Sequence, residues 1–156
     1  MSTRQSRSLL ALAGFSLVTA GAAWYGSRYS RKGNRNLEYR DLDQSHSRSD
    51  EAFRVAWITL YALIAWSGWR VWSAAPSRDR TAALRLWISQ LAANTKWSKL
   101  FLGQHRPIAA LAEAVALEGA IFSYMNSARK IDRAAAGAFI PYAAWVAFAE
   151  CFRKLS

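Results

Sequence analysis

The strongest constraint on this chain is an alternation of long apolar stretches and short basic turns. Leu9–Tyr25 carries no charge across seventeen residues, and Val55–Trp69 carries none across fifteen. Three further apolar stretches follow, over roughly 82–102, 107–127 and 134–152, separated by turns holding Arg78, Arg80, Arg129, Lys130 and Arg133. In lipid a chain must satisfy its backbone polar groups internally, so stretches of this kind read as helices that need helical neighbours. The expected fold is all-α: a five-transmembrane-helix bundle, one domain over 1–156. Its helices are expected at about 9–25, 53–72, 82–102, 107–127 and 134–152, with a polar basic loop over 26–52. Fifteen residues rise only about 22 Å. Arg54 and Arg70, which bracket the second stretch, would snorkel to the two interfaces and complete a span of about 30 Å.

Two features of composition bear on that reading. Eight tryptophans suit membrane interfaces, where an apolar ring and a polar N–H are both satisfied. The mean hydropathy is near zero, low for an integral membrane protein. Six basic residues between Arg28 and Arg48 pull that average down, within a formal charge of +11. No base-reading helix or aromatic RNA-binding motif accompanies the charge, so nucleic acid is not expected and anionic membrane lipid is. A lone Cys151 excludes an intrachain disulfide framework and any CxxC metal site. His46 and His105 are read as loop residues without a partner at ligand spacing, which leaves axial haem ligation unsupported. Arg4, Arg7 and Ala20-Gly21-Ala22 around the first stretch also fit a secretory signal. The four stretches that follow need a helical partner, and the first is therefore read as a span.

The most informative stretch is Gln90–Gly103, QLAANTKWSKLFLG. As a helix it aligns Gln90, Asn94, Trp97 and Phe101 on one narrow stripe, with Arg85, Lys96 and Lys99 opposite. Two amides beside a tryptophan can form a polar clamp between helices. They can also line a pocket in which a few polar groups orient an apolar guest. Glu113 and Glu118 lie about 140° apart on the fourth helix and so do not share a face. Isolated carboxylates in lipid are paired or functional. Inter-helix ion pairs are expected here, with Lys96 and Lys99 as candidate partners. Pro141 is expected to bend a continuous fifth helix.

From Phe53 onward the chain resembles the translocator protein, or tryptophan-rich sensory protein, family (TspO/MBR). The resemblance rests on Trp57-Ile-Thr-Leu-Tyr61, Gln90-Leu-Ala-Ala-Asn94, Trp97 with Leu100-Phe101-Leu-Gly103, Glu113, and Pro141-Tyr142-Ala-Ala-Trp145. It implies five transmembrane helices, commonly dimeric, in a bacterial cell membrane or the mitochondrial outer membrane. It implies an internal pocket for tetrapyrroles such as porphyrin or haem, and in animal members for sterols. Carried over, Trp57 and Trp145 become aromatic walls for a flat macrocycle, with Tyr61, Gln90, Asn94 and Trp97 lining the same cavity. Tyr142, Phe148 and Phe101 serve equally well as packing.

The departures are specific. The loop between the first two helices lacks the family's proline-and-tryptophan-rich cover, and Ser98-Lys99 stands where a proline follows the helix-3 tryptophan. The carboxyl-terminal sterol pattern lacks its tyrosine, offering Val146, Phe152 and Arg153. The retained aromatics point to a tetrapyrrole-binding protein for transport, sensing or disposal. The altered loop points instead to a structural or regulatory membrane protein that keeps the fold without the ligand. Some bacterial members are described as promoting light-dependent porphyrin breakdown. This sequence has no nucleophile, metal site or acid–base dyad for it, so such chemistry would rest on the pigment.

Overall fold

Six helices make up the described part of the chain: α1 (Thr3–Leu37), α2 (His46–Ser73), α3 (Arg78–Ser98), α4 (Pro107–Ala128), α5 (Arg133–Gly137) and α6 (Ile140–Leu155). The computed structural model describes residues 3–37, 46–99 and 107–155; the side chains at 3–5, 29–37, 46–50, 52–53, 97–98, 107, 110 and 149–155 fall outside that description, Trp97 among them, as do Phe101, Gly103 and His105. There is no strand among the described residues, and the fold is all-α.

Two boundaries differ from the sequence expectation. Much of the loop expected over 26–52 is helical: α1 continues to Leu37, and α2 begins at His46, which is therefore a helix residue and not a loop one. Arg28, Arg31, Lys32, Arg35 and Leu37 are good helix formers that need no apolar periodicity, and no proline interrupts the segment. The expected fifth helix is divided. α5 ends at Gly137, the Phe139 N–H donates to the Ala136 carbonyl at 3.1 Å, and α6 starts at Ile140. Pro141 is thus in the first turn of α6, where its missing N–H is not needed, and it bends no continuous helix.

The most extensive packing is of α3 on α4 and of α1 on α2, and α2 and α3 approach closely at one point. A Cβ added at Gly68 would lie 2.7 Å from the Trp87 indole and 2.8 Å from the Phe15 ring. That missing side chain opens a groove through which Trp87 Nε1 donates to the Ile64 carbonyl at 2.9 Å. Phe15 of α1 closes the groove edge-on, its ring centroid 4.8 Å from that of Trp87. Further along, Ser67 Oγ donates to the Ala135 carbonyl at 2.7 Å, which leaves the Tyr124 hydroxyl as donor in their 2.7 Å contact. One serine on α2 therefore ties α4 and α5 together. Tyr124, Phe139 and Tyr142 are fully buried and stack in sequence around this tie.

The outside is more apolar than a water-facing bundle allows. Leu10, Leu17, Ile58, Ile88, Val115 and Phe122 all point outward, and Ile108 is 85% exposed. Thr19, Ser67, Gln90 and Asn94 are buried instead. Lipid suits such an exterior, and membrane bundles place their polar side chains inward. Ser6–Arg28 is the one helical stretch among the described residues long and apolar enough to span on composition alone.

At one end of the bundle, Trp66 and Trp72 lie beneath Arg70 and Arg80, at 5.4 and 5.8 Å from ring centroid to guanidinium carbon. Trp69 Nε1 reaches the Ser8 carbonyl at 3.1 Å, fixing the start of α1 against the end of α2. Asp132 joins two roles there. Its Oδ1 caps α5 by accepting from the Ala134 and Ala135 N–H groups at 2.8 and 3.3 Å, and its Oδ2 pairs with Arg70 at 2.6 Å. Burial alone would raise this carboxyl; the Ala135 N–H, the Arg70 guanidinium and the Ala134 N–H outweigh it and hold the group below the usual aspartate range.

Gly68→Ala is expected to lower stability by about 1–3 kcal/mol through overpacking. Gly119→Ala, with nothing near its added Cβ, should leave the melting temperature in detergent unchanged or slightly raised. The lowered Asp132 value gives a second expectation. Its contribution is complete above the ordinary carboxylate range and is lost as pH falls through the lowered folded value. Asp132→Asn keeps a capping acceptor without the charge. The melting-temperature gap between wild type and this variant should therefore be constant near neutrality and close below about pH 4.

Candidate functional site

The described part of the α3 stripe, Gln90 and Asn94, faces the interior as its spacing predicts. Gln90 and Asn94 are buried, while Arg85, Lys96 and Lys99 are exposed on the other side. Asn94 Nδ2 donates to the Tyr61 hydroxyl across the α2–α3 interface at 3.0 Å. Tyr61 in turn belongs to an aromatic series. Its ring centroid is 5.5 Å from that of Trp57, one helical turn away, and Trp57 meets Trp145 of α6 edge-on at 6.4 Å. Trp145 continues to Phe148 at 6.1 Å. Trp57 and Trp145, 88 positions apart in the chain, are thus neighbours at one place in the bundle. Of the six residues singled out from sequence, Trp57, Tyr61, Asn94 and Trp145 are linked by these contacts, and Gln90 lies one turn from Asn94. The Trp97 side chain lies outside the described residues.

Gln90 and Asn94 differ in how their amides are met. Its side chain is fully buried, and neither amide atom has a hydrogen-bond partner. A clamp residue would bond the neighbouring helix; Asn94 does this and Gln90 does not. The Tyr142 hydroxyl is likewise buried without a partner, and so are both carboxylate oxygens of Glu118. Tyr142 lies within electrostatic reach of both Tyr61 and Glu118. The Glu118 carboxylate sits against the α6 backbone at Ala147 without making a well-formed hydrogen bond. Buried polar groups are nearly always paired, and leaving one unpaired costs about 1–3 kcal/mol. Gln90 of α3, Glu118 of α4 and Tyr142 of α6 are thus three groups with unmet hydrogen-bonding capacity.

The two α4 carboxylates behave differently, as their separate faces require. Glu113 pairs with Lys96 at 2.8 Å, the α3–α4 ion pair expected from sequence. Glu118 is the correction to that expectation: no described basic residue pairs with it. Both α3 lysines are exposed, and Lys96 is taken up by Glu113. From sequence Tyr142 serves pocket and packing equally well, and nothing in its spacing marks its hydroxyl as unpaired. Among the described residues no group of His, Cys, Asp and Glu is arranged to hold a metal ion.

The model of the TspO/MBR family matches residues 13–153. Known proteins similar to the chain include "Protein CrtK" of Rhodobacter capsulatus, 34% identical over 62% of this chain and 61% of that protein. The "Translocator protein homolog" of Schizosaccharomyces pombe is 30% identical over 86% of this chain and 82% of its own length. The "Tryptophan-rich sensory protein" of Cereibacter sphaeroides is 32% identical over 60% and 57%. The chain therefore spans less than two thirds of the two bacterial relatives and most of the yeast one.

The unpaired amide yields a test that needs no ligand. Gln90→Leu replaces it with an apolar side chain of similar volume and should stabilise the empty protein by about 1–2 kcal/mol. Asn94→Leu abandons the Tyr61 hydroxyl and should destabilise by a similar amount. Thermal unfolding of both variants in detergent reads the signs; a loss at Gln90 would make it a clamp.

Proposed function

Because the chain belongs to the TspO/MBR family of integral membrane proteins, we propose that its five helical segments span the membrane and hold a tetrapyrrole, porphyrin or haem, or a similar flat apolar ligand, for transport, sensing or disposal. The membrane is a bacterial cell membrane or the mitochondrial outer membrane. α1, α2, α3 and α4 supply four spans and the α5–α6 pair the fifth. α4, at 22 residues, is about 33 Å long and matches a hydrocarbon core of about 30 Å.

The observation that carries the reading is the coincidence of the Trp57–Trp145 contact with the unpaired polar atoms of Gln90 and Tyr142. A tetrapyrrole offers both kinds of complement. Its plane stacks on indole, adding about 0.5–1.5 kcal/mol per aromatic contact beyond area burial. Its edge substituents carry hydrogen-bonding oxygens for the amide and the phenol. A sterol has a single hydroxyl and would leave most of these groups unmet. The relatives named as translocator and sensory proteins support a role in moving or detecting such a ligand.

Titrating the purified protein in detergent with protoporphyrin and with haem, followed by tryptophan fluorescence, tests the proposal. Saturable quenching near micromolar ligand is expected. Trp57→Phe and Trp145→Phe should each weaken binding by roughly 2–10-fold. The double variant should lose less than the sum in free energy, because the two rings share one guest. Linear, non-saturating quenching would favour a structural protein that keeps the fold without the ligand.

A further inference from the structure

Glu118 is the feature of the interior that a neutral or anionic ligand leaves unexplained. Both of its carboxylate oxygens are shut off from solvent and have no hydrogen-bond partner. The two cations with described partners are committed elsewhere, Lys96 to Glu113 and Arg70 to Asp132. The fully buried Tyr142 hydroxyl, also unpaired, lies within the carboxylate's electrostatic reach and within that of Tyr61. Trp145 follows Tyr142 by three residues on the same face of α6, and it contacts Trp57 across the bundle. An acidic group without a counter-charge in a dry interior is driven to its neutral form, and a cation brought beside it stabilises the ionised one. Indole and phenol faces, such as those of Trp57, Trp145 and Tyr142, attract the same kind of group, since the aromatic quadrupole favours positive charge over the ring.

We propose that Glu118 makes this interior a receptor for flat aromatic ligands that carry a protonated amine. The ammonium donates to the Glu118 carboxylate and the Tyr142 hydroxyl, while the aromatic frame lies against Trp57 and Trp145. This rests on the reading of the interior as a ligand site and not on that ligand being a tetrapyrrole. Glu113 has no part in it, because its charge is already matched by Lys96.

A matched pair of probes isolates the charge: 1-pyrenemethylamine, an ammonium at neutral pH, and 1-pyrenemethanol, its neutral counterpart. Both are titrated against the full chain in the non-ionic detergent dodecyl maltoside, read by energy transfer from tryptophan to pyrene. Wild type should bind the ammonium about tenfold more tightly than the alcohol, a difference of about 1.4 kcal/mol. Glu118→Gln should bring the two probes within about twofold of each other, and Glu113→Gln should keep the preference. Glu118→Asp, which retains the charge on a shorter arm, should show an intermediate preference and serves if Glu118→Gln does not fold. Equal binding of the two probes by wild type overturns the proposal without any variant, and so does a preference that survives in Glu118→Gln. Protoporphyrin titrated in parallel separates the two readings. Porphyrin binding without an ammonium preference defeats only the role of Glu118; an ammonium preference without porphyrin binding defeats only the tetrapyrrole.

Discussion

A polar atom inside a lipid-facing bundle has to find its hydrogen bond within the protein, since lipid tails offer none. Most of this structure can be derived from how it meets that condition. Thr19, Thr59, Ser73, Ser89, Thr95 and Ser123 bend their hydroxyls back onto carbonyls four residues earlier in their own helices. Trp87 uses the groove at Gly68 to reach a backbone oxygen of α2. Ser67 and Tyr124 close a chain onto Ala135. These bonds fix how closely the helices approach and so where the aromatic side chains meet. Against that background Gln90, Glu118 and Tyr142 stand out, because the same helices that satisfy their other polar groups leave these three unmet.

The helices that carry them pack on one another. α3 and α4 lie together, α6 packs on α4, and Trp57 brings α2 against α6. The Asn94–Tyr61 bond ties α3 to α2 and holds the Tyr61 ring beside Trp57. Each unpaired group costs the fold about 1–3 kcal/mol. Under the proposed function a complementary guest returns that cost as affinity, which sets stability against binding at these positions.

What the sequence made legible was what periodicity and composition encode. The 3.6-residue spacing put Gln90 and Asn94 on one inward face, and the position of Glu113 relative to Lys96 admitted the ion pair that forms. The family signature tied Trp57 to Trp145, which no local pattern can do across two separate helices. The failures have equally local causes. Polar stretches such as 26–37 form helix without apolar periodicity, so a search for that periodicity read them as loop. Pro141 looked like an interior kink because only the backbone shows that the helix starts beside it. Glu118 was grouped with Glu113 as an ion-pair residue, since a charge in an apolar helix does not reveal whether a partner lies opposite. Whether Trp97 lines the same space depends on a side chain outside the described residues.

The central claim is that one guest occupies the space bounded by Trp57, Trp145 and the unpaired polar groups. The tryptophan indole N–H resonances of protein labelled with nitrogen-15 at its eight tryptophans test it most directly. On titration with protoporphyrin, the Trp57 and Trp145 signals are expected to shift together on one saturating isotherm. The Trp87 signal, held on the Ile64 carbonyl, and that of Trp72 at the bundle end should stay in place. Uniform, unsaturated shifts across all eight, or saturation confined to the peripheral tryptophans, would contradict an internal site.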